Sequence, residues 1–230
     1  MPLPMVHLAV AVRIHGDGDS LPTPAFLLGN LAPDAIHMRP NANRDDKRRT
    51  HLLDPSSQAW DHDVIREFCV GQQLGPGSEL TALDRERREF LLGYAAHLLT
   101  DSFWSDLVYE PFVRKLPAGT SPEEKNRIYY TETDQIDIDI HRSSAWRPKV
   151  WELLSKVDAP EMDGLLTAEE IGKWRDRVLG WYTPDKEPKI QVKYITHRQV
   201  AVFIDEAAAS IRALFAEWDV LPSGQRSARQ

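Results

Sequence analysis

The stretch "EFLLGYAAHLLTDSFW", residues 89–104, decides both the fold class and the place to look for chemistry. It reads as a helix rich in Leu, Ala and aromatic residues, yet it carries His97 and Asp101 one helical turn apart. Side chains at i and i+4 share a face, so the imidazole and the carboxylate point the same way. Phe90 and Tyr94 on one side and Trp104 on the other set the pair within or beside an apolar stripe. Burying an unpaired carboxylate is costly, and a cation offsets that cost. The cation is either a basic side chain or a metal ion.

Helical signals continue outward from this segment. Helices are expected at 2–14, beginning after Pro4; at 56–71, carrying Trp60, Val64 and Phe68; at 80–107; and from Ser121-Pro122 through 141. Others are expected at 147–157, at 167–181 behind a Thr167/Glu170 capping box, and at 196–218. Pro, Gly and Asn mark loops at 15–25, 38–50, 72–79, 114–121 and 182–193. "IDIDIH", 136–141, alternates like a strand, but its flanks favour helix. The expected architecture is all-α, a single-domain helical bundle over 1–222 with a disordered tail at 223–230.

Composition narrows the function classes. The chain has 230 residues and a net charge of −7, which argues against an extensive nucleic-acid surface. Basic residues do gather in "RDDKRR", 44–49, but acidic neighbours dilute them and a solvated loop is expected. The one cysteine, Cys69, has no internal partner, in keeping with a reducing compartment. "MPLPMVHLAVAV" lacks a basic leader and a cleavage site, and no apolar run reaches the ~18–20 residues of a membrane span. A cytoplasmic location follows as an expectation. Gly-rich phosphate loops, Gly-x-Ser-x-Gly elbows and His-Glu-x-x-His motifs are all missing from the sequence.

Other His and Asp residues sit in apolar or turn-forming surroundings: His7 in "MVHLAVA", Asp34 and His37 in "FLLGNLAPDAIH", and His51 in "RRTHLLD". Zinc favours imidazole and carboxylate ligands, and helical bundles gather such ligands from separate helices. Each has a plainer alternative. His97 and Asp101 suit a buried ion pair, His7 and His51 suit core or capping roles, and Asp34 after Pro33 readily caps a helix or closes a turn.

Taken in order, His7, Asp34, His51 and His97-x-x-x-Asp101 resemble the zinc-dependent phospholipase C family and its cytoplasmic bacterial relatives, whose fold is shared with the all-α single-strand nucleases. The resemblance runs over about residues 5–112. It implies that His51, His97 and Asp101 hold one metal, and that Asp101 bridges to a second ion also held by His7. Asp34 would orient or deprotonate the attacking water, or bind metal itself. Secreted members use the processed N-terminal amine as a ligand, whereas six residues precede His7 here. The third ion of the family needs a His soon after the His-x-x-x-Asp motif and a His-x-x-x-Glu helix. This chain has no His-x-x-x-Glu; in its place Asp134, Asp137 and His141 share a helical face and are candidates for a remodelled half-site. His37 is a further candidate, as a ligand or in support of one, and Tyr94, Trp104 and Tyr109 are candidate pocket residues.

The resemblance thus implies metal-assisted hydrolysis of a small phosphoester, a lipid head group among the candidates, with one or two zinc ions and Asp34 as general base. A donor set without thiolate also accepts manganese, iron or nickel. Two rivals remain open: a nuclease or nucleotidase on the same scaffold, and a non-catalytic helical protein with a structural metal. Oligomeric state is not readable from the sequence.

Overall fold

The computed structural model describes residues 2–16, 20–54, 59–71, 81–162 and 164–220. Ten α-helices, with no strand, organise these residues: α1 (Pro4–Ile14), α2 (Pro24–Gly29), α3 (Arg44–Thr50), α4 (His62–Gly71), α5 (Ala82–Trp104), α6 (Glu110–Lys115), α7 (Pro122–Ser143), α8 (Arg147–Lys156), α9 (Ala168–Leu179) and α10 (His197–Glu217). The all-α expectation holds, and "IDIDIH" lies within α7. No helix among the described residues is long and apolar enough to cross a membrane.

Two helices form the centre. Residues 5–12 of α1 are all buried, because α10, α7 and α5 pack around it. The second central helix, α5, is buried from Glu89 through Asp101 and again at Trp104. Its start is set by a Thr81/Asp84 capping box, which satisfies amides that the first turn leaves without partners. After Trp104 the chain relaxes into a π-helical turn, Ser105–Tyr109, before Pro111 starts α6.

The packing of α2 against α5 is unusually close. A Cβ on Gly29 would lie 2.0 Å from the Phe90 carbonyl oxygen, and a Cβ on Gly93 would lie 2.0 Å from that of Phe26. Two backbones therefore touch where side chains normally separate them. The Asn30 side-chain amide completes the contact, donating to the Gly93 carbonyl at 3.5 Å.

The region 38–50 departs from expectation. Instead of a solvated loop, Arg44–Thr50 forms α3, capped by Asn43, whose side chain accepts from the Asp45 and Asp46 amides while Asp46 accepts from the Asn43 amide. An Asn-x-x-Asp box does the work of the commoner Ser/Thr-x-x-Glu. Between α2 and α3, Ala32–Met38 is a 3-10 helix. Arg39 ties its end to α9 through a two-pronged pair with Glu170 at 2.7 and 3.0 Å and a bond to the Leu165 carbonyl at 2.7 Å. Smaller differences are that α2 starts inside the expected 15–25 loop and that α6 runs to Lys115. The expected helix over 56–71 begins only at His62, with Trp60 bridged to Leu53 instead; its residues 56–58, the loop 72–79 and the tail 223–230 lie outside the described residues.

A side chain at the α2–α5 crossing has nowhere to go, and overpacking of this kind costs about 1–3 kcal/mol or more. Gly29→Ala and Gly93→Ala are each expected to lower the unfolding free energy by at least about 2 kcal/mol in urea denaturation. A loss below about 0.5 kcal/mol, the size of an ordinary surface change, would mean that the helices separate without penalty.

Candidate metal centre

His97 and Asp101 project from the buried middle of α5. The α2–α5 crossing puts Asn30, the last residue of the α2 turn, beside them, and the His97 Nδ1–H donates to the Asn30 carbonyl at 2.9 Å. The His97 proton on that side is thereby committed, which leaves Nε2 to face Asp101.

His51 is placed by the end of α3. The chain stops there in a left-handed turn, with Leu52 at φ +48 and the Leu53 amide returning to the Arg48 carbonyl at 3.0 Å. A Leu in the position where glycine is usual is a small strain spent on fixing His51. Its Nδ1–H donates to the Lys47 carbonyl at 3.0 Å, so its Nε2 also points inward. His7 comes from α1, its ring stacked flat on His97 at 3.9 Å with the planes 2° apart. Asp34 stands in the first turn of the 3-10 helix.

These side chains converge on Asp101. His7 Nε2 lies 3.5 Å from Oδ1, while His97 Nε2 and His51 Nε2 lie 3.5 and 3.6 Å from Oδ2. His51 Nε2 is also 3.5 Å from Asp34 Oδ1. Asp101, His51, His97 and His7 are all at most 1% exposed. Both Asp101 oxygens and the three Nε2 atoms make no hydrogen bond. Leaving one such group unsatisfied costs about 1–3 kcal/mol, more when it is charged.

The spacing separates the possible remedies. A direct histidinium–carboxylate pair closes to about 2.7–2.9 Å, so contacts of 3.5–3.6 Å do not satisfy Asp101. Donors arranged tetrahedrally at zinc-like bond lengths sit ~3.3–3.6 Å from one another. The buried groups could therefore hold a metal ion, in either of two donor sets: His51, His97 and Asp101, or His7, Asp34 and His97. His97 belongs to both and has one free lone pair, so the sets are alternative ways to hold one ion. The imidazole protons on backbone carbonyls are the usual support for metal-binding histidines.

Electrostatics follow the same geometry. Burial opposes ionisation of Asp101, but His97 and His7 outweigh it and hold the carboxyl well below its ordinary range. Burial likewise opposes ionisation of Asp34, and His37, His51, Lys47 and His97 overcome it. Burial and the neighbouring His97 push His7 down to about 4. At His97 burial again disfavours charge, yet Asp101 dominates and raises it.

Other candidates are placed elsewhere. Asp137 accepts the Met5 and Val6 amides at 2.9 and 3.3 Å and the Tyr182 hydroxyl at 2.7 Å, so it caps α1, which has no side-chain cap of its own. His141 stacks on Tyr182 at 4.3 Å beside Arg147. Half-buried Asp134, like these two, enters neither donor set. Their shared face turns toward the first turn of α1 and Tyr182, and the remodelled half-site is not assembled. Tyr94 and Trp104 are too buried to line an open pocket; one donates to the Thr50 carbonyl and the other to the Tyr129 hydroxyl. Tyr109 packs on Tyr129 at 5.2 Å. A cavity of about 530 Å³ bounded by Ala25, Phe68, Phe90, Val157 and Met162 includes none of the five converging residues.

His37 stands at the rim, its Nε2 3.5 Å from Asp34 Oδ1. Lys47 carries no direct signal in the sequence, yet its Nζ lies 3.3 Å from Asp34 Oδ1 and 3.2 Å from His37 Nε2. The signal was the Asn43 box: once 44–50 is a helix, Lys47 falls one turn before His51. Asn30 left no signal, since it acts through its backbone carbonyl. Comparison with protein-family models, curated proteins and solved structures gives no match.

Two measurements follow. Wild-type protein purified without chelator or metal-affinity tag is expected to carry about one equivalent of divalent metal by elemental analysis, and a His97→Ala/Asp101→Ala variant that keeps its helicity is expected to carry none. A metal-free wild type, still empty after reconstitution, would show that protein groups satisfy the cluster.

The second concerns Asp137. Burial raises its carboxyl to about 7, outweighing the bonds from Tyr182, Val6 and Met5. Because the unfolded value is near ~4, the folded state holds the proton more tightly. Its contribution is full below pH ~4 and is lost as pH rises through about 7. Asp137→Asn should flatten the fall in urea stability between pH 5 and 8. An unchanged slope would assign that fall to other groups.

Proposed function

We propose that the protein is a metal-dependent hydrolase of phosphoesters, similar in its site residues to the zinc-dependent phospholipase C family. The observation that carries this reading is the set of buried His and Asp atoms without hydrogen bonds around Asp101. His51, His97 and Asp101 would hold the ion, with His7 and Asp34 beside them. Three imidazoles and two carboxylates suit zinc best, with manganese, iron or nickel as substitutes. When bound, the metal supplies Lewis acidity, lowering the pKa of water toward ~7 and drawing charge from phosphoryl oxygens.

The protein's own residues divide the remaining tasks. The backbone carbonyls of Asn30 and Lys47 hold the Nδ1 protons of His97 and His51, keeping both Nε2 lone pairs aimed inward. Burial of Asp101 and the three imidazoles excludes water from all but one side. On that side stands Asp34, whose side chain is 14% exposed where that of Asp101 is 0%. Asp34 is therefore the carboxylate that can meet solvent and substrate, and its Oδ atoms are the natural acceptors for the proton of the attacking water.

A second reading, a closed structural metal site, draws on the near-complete burial of the other four residues. One variant separates the two. Asp34→Asn keeps shape but cannot accept the proton, so turnover of a chromogenic phosphoester is expected to fall by about a hundredfold or more with metal content unchanged. Metal loss in that variant would make Asp34 a ligand. Fully loaded wild type that turns over no phosphomonoester or phosphodiester would favour the structural reading.

A further inference from the structure

Lys47 occupies a place that the hydrolase reading leaves without a task. It enters from α3, the helix that also carries His51, and its side chain is 31% exposed beside an otherwise buried cluster. Its ammonium has three N–H groups. One is aimed at Asp34 Oδ1 at 3.3 Å, and when the His37 proton is on Nδ1 a second reaches its Nε2 at 3.2 Å. Among the described residues the third has no partner, and the neighbouring His37 side chain is 48% exposed and that of Asp34 14%.

Two features make this more than a surface ion pair. Lys47 is held from two directions, by a buried-edge carboxylate and by an imidazole whose ring packs against Trp174 of α9 at 5.7 Å. It is also joined through its own backbone to the inner cluster, because its carbonyl takes the His51 Nδ1 proton. The ammonium position is thus tied to the positions of Asp34 and His51. A fixed cation at the open edge of a site of this kind recognises an anion that reaches in from solvent.

Resting on the hydrolase reading, we propose that Lys47 is the anion-binding residue of the site, donating its remaining N–H to a non-bridging oxygen of the substrate phosphoryl group, with His37 as the positioning residue that holds the ammonium in place. The ligand chemistry is a phosphoryl group with a free oxygen. The ammonium serves as a point charge on a flexible stem, which tolerates different alcohols on the ester side.

Inorganic phosphate is the probe. Its dissociation constant is measured by isothermal titration on metal-loaded wild type, Lys47→Gln and Lys47→Arg, alongside metal content and kcat and KM for a chromogenic phosphomonoester and phosphodiester. Loss of one charge-assisted bond is expected to weaken phosphate binding by about tenfold or more in Lys47→Gln, with partial recovery in Lys47→Arg. KM should rise with whichever ester is turned over, more than kcat falls, and metal content should not change. The backbone carbonyl that serves His51 survives the substitution.

Phosphate binding within about twofold of wild type in Lys47→Gln, with metal and turnover retained, would overturn the assignment and leave the hydrolase reading intact. Metal loss in Lys47→Gln would also overturn it, making Lys47 a support for the cluster. Wild type without metal or turnover would remove the hydrolase reading itself, and the subsite with it.

Discussion

The contact between Gly29 and Gly93 is the constraint on which the rest depends. Where each glycine's missing Cβ would strike the other helix's backbone at 2.0 Å, α2 and α5 have one register open to them. That register sets the Asn30 carbonyl against His97 and so decides which imidazole nitrogen carries the proton. It also sets where the chain leaves α2, and hence where the 3-10 helix bears Asp34. A packing choice made with the smallest residue thus fixes a tautomer and a carboxylate. Close approach of this kind is a use of glycine that needs no unusual φ.

The second constraint is electrostatic. A cluster of three imidazoles and a carboxylate, all at most 1% exposed, is costly to desolvate inside a hydrophobic core. Apolar residues of similar volume would pack there without desolvation, and buried polar groups in general find hydrogen bonds. Here the inward atoms find none, while the outward Nδ1 atoms of His51 and His97 are satisfied by carbonyls. For His51 and His97 this is the arrangement expected of groups that could share a cation, while His7 makes no hydrogen bond at either nitrogen.

Much of this is legible in the amino-acid sequence. The fold class followed from helical periodicity, and "EFLLGYAAHLLTDSFW" does form the central helix with His97 and Asp101 on one face. His7, Asp34 and His51 were readable as His or Asp residues in unlikely surroundings, and they do converge. Asp134, Asp137 and His141 were equally readable as a face of a helix, but periodicity cannot tell which neighbour a face meets; Asp137 meets the bare amides of α1. Tyr94 and Trp104 obeyed the commoner rule that aromatics at helical spacing are core. Helix α3 was missed because charge density argued for solvent while a cap built from Asn43 and Asp46 argued for a helix, and the local hydrogen bonds won. Lys47 was lost with it.

The two halves of the centre are built differently, and the difference bears on what the centre can do. His7, His97 and Asp101 stand at buried positions of the two central helices, where no rotamer can change without repacking the core. Asp34, His37 and Lys47 stand on a 3-10 helix and the seven-residue α3, held to the rest by the Arg39–Glu170 pair and by a left-handed turn at Leu52. His51 joins both, since its ring is buried among the first group while its backbone belongs to the second, and Asp34 reaches the first group through the donor set it shares with His7 and His97. A ligand at the rim that shifts Lys47 acts on the backbone that positions His51, whose Nε2 faces both Asp34 and Asp101. The inner residues are thus fixed by burial of the helices that carry them, and the outer ones by short segments, the 3-10 helix among them packed on α9.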